Sequence, residues 1–158
     1  MLPYSKVNLG FKVAQVQVYL DNTLASTSLT AASSFTWNTT QSSNGTHTLQ
    51  ATACDAASNC ASVTSTVTVD NSLPTVTITS AVVTKNNKVN VSVTATDNVG
   101  VVKVELYLDG KLNQTDTTAP YTFSVNTAPL PSGSHTLQAK AYDAAGNVGL
   151  SNTVAFTK

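Results

Sequence analysis

Apolar residues recur at every second position in short runs separated by Gly, Asn, Asp and Ser. Between residues 76 and 156 the runs stand out: Val76 and Ile78; Val89, Val91, Val93 and Ala95; Val102, Val104, Leu106 and Leu108; Tyr121, Phe123 and Val125; Leu137, Ala139 and Ala141; Val154 and Phe156. Period-two alternation turns one side of a strand inward and leaves the other wet. Asp109-Gly110 ends the third run and reads as a tight hairpin turn into a short edge strand from Lys111. The pattern predicts strands A, B, C, C′, E, F and G. Seven short strands with turns between them fit a two-sheet sandwich.

The two halves of the chain repeat one another. AQVQVYLDNTL from Ala14 matches VKVELYLDGKL from Val102, and SFTWNTT from Ser34 matches TFSVNTA from Thr122. NGTHTLQATACDAASN from Asn44 matches SGSHTLQAKAYDAAGN from Ser132, and HTLQA occurs intact at His47 and His135. The offset is about 88 residues from Val13 to Cys60, but Lys6-Val7-Asn8 matches Lys88-Val89-Asn90 at an offset of 82. Some six residues are therefore missing between strands B and C of the first repeat. The expected organisation is all-β: two tandem sandwiches, residues 1–69 lacking strand A and most of the B–C loop, and residues 70–158 complete with seven strands. A sandwich without its first strand leaves an open edge; a truncated chain accounts for the same pattern.

Composition supports this. Thr, Ser, Val and Asn dominate the 158 residues, and strong helix formers are scarce. Charged residues make up 10%, formal net charge is +0, and all basic residues are Lys. That composition argues against nucleic acid or an anionic membrane surface as partner. No apolar run approaches the ~20 residues needed to span a bilayer, so no membrane insertion is expected. Met1 to Lys12 lacks the pattern of a signal peptide, so an exported protein would carry its signal outside this sequence, as a mature form or a fragment.

VTATDNVGVVKVELYLDGK, then TDTTAPYTFSVNT, then GSHTLQAKAYDAAGN resembles the bacterial immunoglobulin-like repeat family. The resemblance covers Asp70–Lys158, and about Val13–Val69 with the gap described. It implies a secreted or cell-surface modular protein of a prokaryote. Repeats of this kind serve in adhesins, stalks, filaments and as accessory modules of secreted glycosidases, so the resemblance leaves the role open.

Strands of alternating direction send the start of the second module, its B–C loop and its F–G loop to one pole. Asp70 and Asn71, Asp97 and Asn98, and Asp143 and Asn147 are expected to gather there. Three carboxylates and several amide oxygens are a calcium-type donor set; turns also favour Asp and Asn for their own reasons. Asp55 and Asn59 hold the matching positions of module one, without a partner for Asp97, and form a second candidate site needing ligands from another molecule. Cys54 and Cys60 are expected to close a hairpin as a disulfide rather than stay as two free thiols. Zinc lacks a ligand set nearby.

No catalytic constellation is visible. Glu105 is the only Glu and points to the polar side of its strand; sugar hydrolysis needs two carboxylates in a cleft. His47 and His135 occupy equivalent positions, which argues for structure. Trp37 replaces Val125 at inward parity. Sequons at Asn38, Asn44, Asn90 and Asn113 fit surface positions. The leading expectation is a non-enzymatic structural subunit or spacer of an extracellular fibre or surface stalk. It would be stiffened by calcium and self-associate head-to-tail through module one. The alternative is an adhesin or carbohydrate-binding accessory module, with Tyr19, Tyr107 or Tyr121 as a glycan platform. A spacer fragment of a larger secreted enzyme is a third reading.

Overall fold

Thr/Val alternation, with few helix formers, gives extended chain almost throughout. The computed structural model describes residues 12–31 and 34–158. These form β1 (Val13–Leu20), β2 (Thr23–Ser28), β3 (Gly45–Asp55), β4 (Cys60–Val69), β5 (Thr75–Thr84), β6 (Lys88–Thr96), β7 (Val101–Leu108), β8 (Lys111–Asp116), β9 (Tyr121–Asn126), β10 (Ser134–Asp143), β11 (Val148–Leu150) and β12 (Val154–Thr157), with a short 3₁₀ turn at Thr39–Gln41. The chain divides into two compact units, Met1–Val69 and Asp70–Lys158. Both are immunoglobulin-like and antiparallel.

Unit two is a two-layer sandwich. One sheet has the order β5-β6-β9; the other runs β11-β10-β7-β8, with β12 also on β10. Val89, Val91 and Val125 from the first sheet meet Val104, Leu106 and Leu137 from the second, all essentially without exposure. Burying a Val or Leu side chain fully contributes about 1.5–3 kcal/mol, so this layer is the main source of the unit's stability.

Two details depart from simple alternation. Val102 is exposed, and Val101 packs against the core in its place. The cause is a register shift between Tyr142 and Asp143, which sets Asp143 opposite Val101. The last strand is divided into β11 and β12. At the break, the Ser151 N–H donates to the Ala139 carbonyl, and the Ser151 hydroxyl accepts from the Ala139 N–H at 2.8 Å. Tyr121 is a buried core residue, so it offers no platform for a glycan.

In unit one the described residues form a single four-stranded sheet, β2-β1-β3-β4. Val16, Val18, Leu49 and Ala51, which match Val104, Leu106, Leu137 and Ala139, are only half-buried there. The expected absence of strand A and the shortened B–C loop fall on residues 1–12, of which only Lys12 is among the described residues. The segment matching strand E is not a strand: residues 34–38 carry no ladder pairing. In unit two that strand is paired through β6, and no described strand of unit one offers the equivalent edge. Phe35 and Trp37 keep their alternate half-burial. The Trp37 ring meets His47 edge-on at 5.1 Å, and its Nε1–H donates to Ser42 Oγ at 3.0 Å.

The repeated histidines perform one structural task twice. Asp109 and Gly110 form a two-residue turn with φ of 50° and 76°; Asp21 and Asn22 form its twin at 48° and 65°. These are the left-handed values that a tight hairpin of this kind requires. The Asp109 carboxylate accepts from the Thr136 N–H at 2.8 Å and faces His135 Nδ1 at 2.7 Å; His135 Nε2 faces the Pro131 carbonyl at 3.0 Å. Asp21, Thr48, His47 and the Ser43 carbonyl repeat the arrangement at 2.8, 2.6 and 2.9 Å. Both ring nitrogens face acceptors, so only the doubly protonated ring satisfies both. The hydrogen bonds to Asp109 and the Pro131 carbonyl raise His135 above the ordinary imidazole value; the Ser43 carbonyl and then Asp21 raise His47. Asp109, held by His135 and the Thr136 N–H, and Asp21, held by the Thr48 N–H and His47, lie below the usual carboxylate range.

The imidazolium contribution is complete below about pH 6.5 and is lost as pH climbs through the raised folded value; the carboxylate contribution is lost only in acid. The melting temperature of the chain is expected to fall as pH rises above about 6.5, and the H47Q/H135Q double variant to lose most of that slope. Thermal melts across that range check it; an unchanged slope in the double variant contradicts the clamp.

Candidate metal centre

Register alone brings three chain ends together in unit two. Thr75 pairs with Thr96, so the segment before β5 lies beside the turn after β6. Asp143 pairs with Val101, so the end of β10 lies beside the start of β7. Asp70, Asp97 and Asp143 sit on these ends, and one carboxylate oxygen from each lies within 4.8 Å of the others. Asp143 is 4% exposed, and the other two are half-buried.

Local turn chemistry fixes each carboxylate. Asp70 Oδ1 accepts from the Ser72 N–H and the Asn98 side chain, both at 3.1 Å. Asp97 Oδ2 accepts from the Val99 and Gly100 N–H groups at 2.9 and 3.0 Å. Asp143 Oδ1 accepts from the Asn147 N–H at 2.8 Å, and Oδ2 from the Asn147 side chain at 2.7 Å. The second oxygens of Asp70 and Asp97 (Oδ2 and Oδ1) are buried without any hydrogen-bond partner. A buried acceptor in that state carries its full desolvation cost, and here two of them belong to neighbouring carboxylates. Burial pushes the Asp143 carboxyl up, but donors from Asn147, Gly146 and Ala145 more than offset it and hold the group below the usual range.

Asn98 and Asn147 stand beside the acids as donors. Their side-chain nitrogens go to Asp70 and Asp143, and Asn147 also donates to the Asp70 carbonyl at 3.0 Å. Asn71 is exposed next to Asp70. The geometry is thus a tripod of carboxylates held from behind by amides, rather than six converging oxygens. Its chemistry suits a hard cation taking oxygen ligands, with water and carbonyl groups completing six to eight positions.

Asp55 and Asn59 in unit one form a self-contained turn. The Asp55 carboxylate accepts from the N–H groups of Ala57 and Asn59 and from the Asn59 side chain, each at 2.9 Å. The Asn59 contacts hold it below the usual range. Among the described residues it belongs to no group of three or more metal-ligating side chains. Cys54 and Cys60 face each other across β3 and β4 and form a disulfide. Asn38, Asn44, Asn90 and Asn113 are exposed.

Glu105 has more company than alternation alone reveals. It is 7% exposed on the side of β7 away from the core. It takes Lys103 Nζ at 2.6 Å and the hydroxyls of Tyr107 and Tyr142 at 2.8 Å each. Burial raises its carboxyl, but Lys103, Tyr142 and Tyr107 together bring it below the ordinary value. Lys103 covers the Tyr142 ring and Lys140 the Tyr107 ring, at 4.2 and 4.3 Å from the centroids. The spacing Lys103-x-Glu105-x-Tyr107 opposite Lys140-x-Tyr142 was the available signal. This network ties β7 to β10. It also leaves Tyr107 covered by a cation rather than open to a sugar.

Among the described residues no helix is long and apolar enough to cross a membrane. No curated protein matches the chain. In structure it is similar to the fibronectin(III)-like modules of Clostridium thermocellum CbhA, at 23% identity and a TM-score of 0.57, covering 96% of this chain and 80% of that one. It also matches the central fibronectin-III array of RIM-binding protein, at 12% identity and a TM-score of 0.41, covering 95% and 58%. The first likeness bears on the fold alone. A family profile described as bacterial Ig domain matches residues 8–51 and 74–139, most of both repeats, and the chain belongs to that family.

Proposed function

We propose that the chain is a non-catalytic spacer of a secreted or cell-surface protein, with calcium bound at Asp70, Asp97 and Asp143 ordering the start of unit two. The carrying observation is that Asp70 and Asp97 each bury an oxygen with no partner and that both stand with Asp143 in one carboxylate cluster. Like charges so placed repel, and an oxygen-seeking divalent cation answers both the charge and the missing partners. Asp70 follows Val69, the last residue of β4, so binding would order the chain from the first residue of unit two. Membership of a family of modular domains and a disulfide, which persists in oxidising surroundings, support a place outside the cytoplasm. A subunit that assembles head-to-tail into a fibre, with unit one at the contact, is the stronger form of this proposal.

Calcium at about 100 times its dissociation constant should stabilise unit two by about 2.7 kcal/mol, seen as a rise in melting temperature that chelator reverses. D97N should lose that rise. In chelator D97N should melt above wild type, because a neutral amide keeps the turn and removes one repelling charge. A wild-type melt indifferent to calcium rejects the metal. Sedimentation at high concentration with calcium tests the fibre, and a strictly monomeric chain rejects it.

A further inference from the structure

The segment before β5 carries Asp70 and crosses β11 at Pro74. Two ties hold that segment, and a third holds β5 just beyond it. Asn147 donates to the Asp70 carbonyl at 3.0 Å. Asn152 Oδ1 accepts from the Ile78 N–H at 3.1 Å. Between them, buried Pro74 crosses directly over Gly149. A β-carbon built on Gly149 would fall inside the Pro74 carbonyl oxygen and stand 2.8 Å from its carbonyl carbon. Both are backbone atoms, so no side-chain rotation relieves the overlap. The demand for glycine is therefore one of space at this crossing.

We propose that Gly149 is the principal positioning residue of the metal centre, because it lets the segment that carries Asp70 lie against β11. This rests on the calcium reading of the site. Gly149 touches no cation; it acts by letting Pro74, and with it Asp70, come close enough to complete the tripod. Residues that orient metal ligands from behind typically change affinity about 10–100-fold when replaced.

The experiment is calcium titration by calorimetry on the full chain: wild type, G149A, D70N and the G149A/D70N double variant. G149A is expected to weaken calcium about 10–100-fold and to add nothing once Asp70 is gone, since both changes remove the same ligand. N152A, which releases the tie at Ile78 without adding bulk, is the second variant. It should weaken calcium several-fold, again only while Asp70 is present. Wild-type affinity in both G149A and N152A overturns this inference alone. So does an equal loss with and without Asp70, or a G149A chain unfolded at all calcium concentrations beside an N152A chain of wild-type affinity. No calcium binding by the wild type overturns the metal reading and this inference with it.

Discussion

Unit two hangs on the pairing of β7 with β10. Their register, from Leu137 opposite Leu108 to Asp143 opposite Val101, sets four things at once. The inward sides carry Leu106 and Leu137 into the core. The outward sides bring Tyr142 to Glu105. At one end the ladder delivers Asp109 to His135, and at the other it delivers Asp143 to the acidic pole. A slip of one residue would exchange the two sides of a strand, emptying the core and scattering both polar clusters together. Core, network, clamp and pole are consequences of a single alignment.

The two repeats keep the His–Asp clamp and differ in how their outer side is fastened. Tyr142 of unit two is matched by Cys54 and Glu105 by Gln17. Where unit two ties β7 to β10 through a buried carboxylate, unit one ties β3 to β4 through a covalent bond. A buried carboxylate costs several kcal/mol unless its partners are complete, and Lys103, Tyr107 and Tyr142 supply them. A disulfide closing a short loop typically contributes a few kcal/mol by restricting the unfolded chain. The covalent route suits a unit whose described sheet keeps its apolar side only half-buried.

Most strands were legible because alternation is a local property, as the Val89–Val93 and Tyr121–Val125 runs show. Alternating strand direction alone also sends Asp70, Asp97 and Asp143 to one pole. What alternation cannot express is a change of register. The shift at Tyr142/Asp143 exposes Val102, the break at Ser151 splits the last strand, and neither leaves a mark in residue type. Pairing partners were equally hidden: the strand expected over Ser34–Asn38 has the right period but no described edge to join. The orientation of Asn98 and Asn147 as donors, and the burial of Glu105, depend on neighbours in space that no spacing along the chain names.

The termini of unit two lie at opposite ends of its strands. Asp70 belongs to the acidic pole, whereas Thr157 pairs with Ser134 at the clamp end, and Lys158 exchanges two backbone hydrogen bonds with Gly133. A pull on the two ends therefore runs along the strands, and antiparallel ladder bonds lie across that direction. The bonds between β10 and β12 would be sheared together instead of opening one by one. For a module strung in tandem, that places its mechanical resistance at its last strand, where the load leaves it.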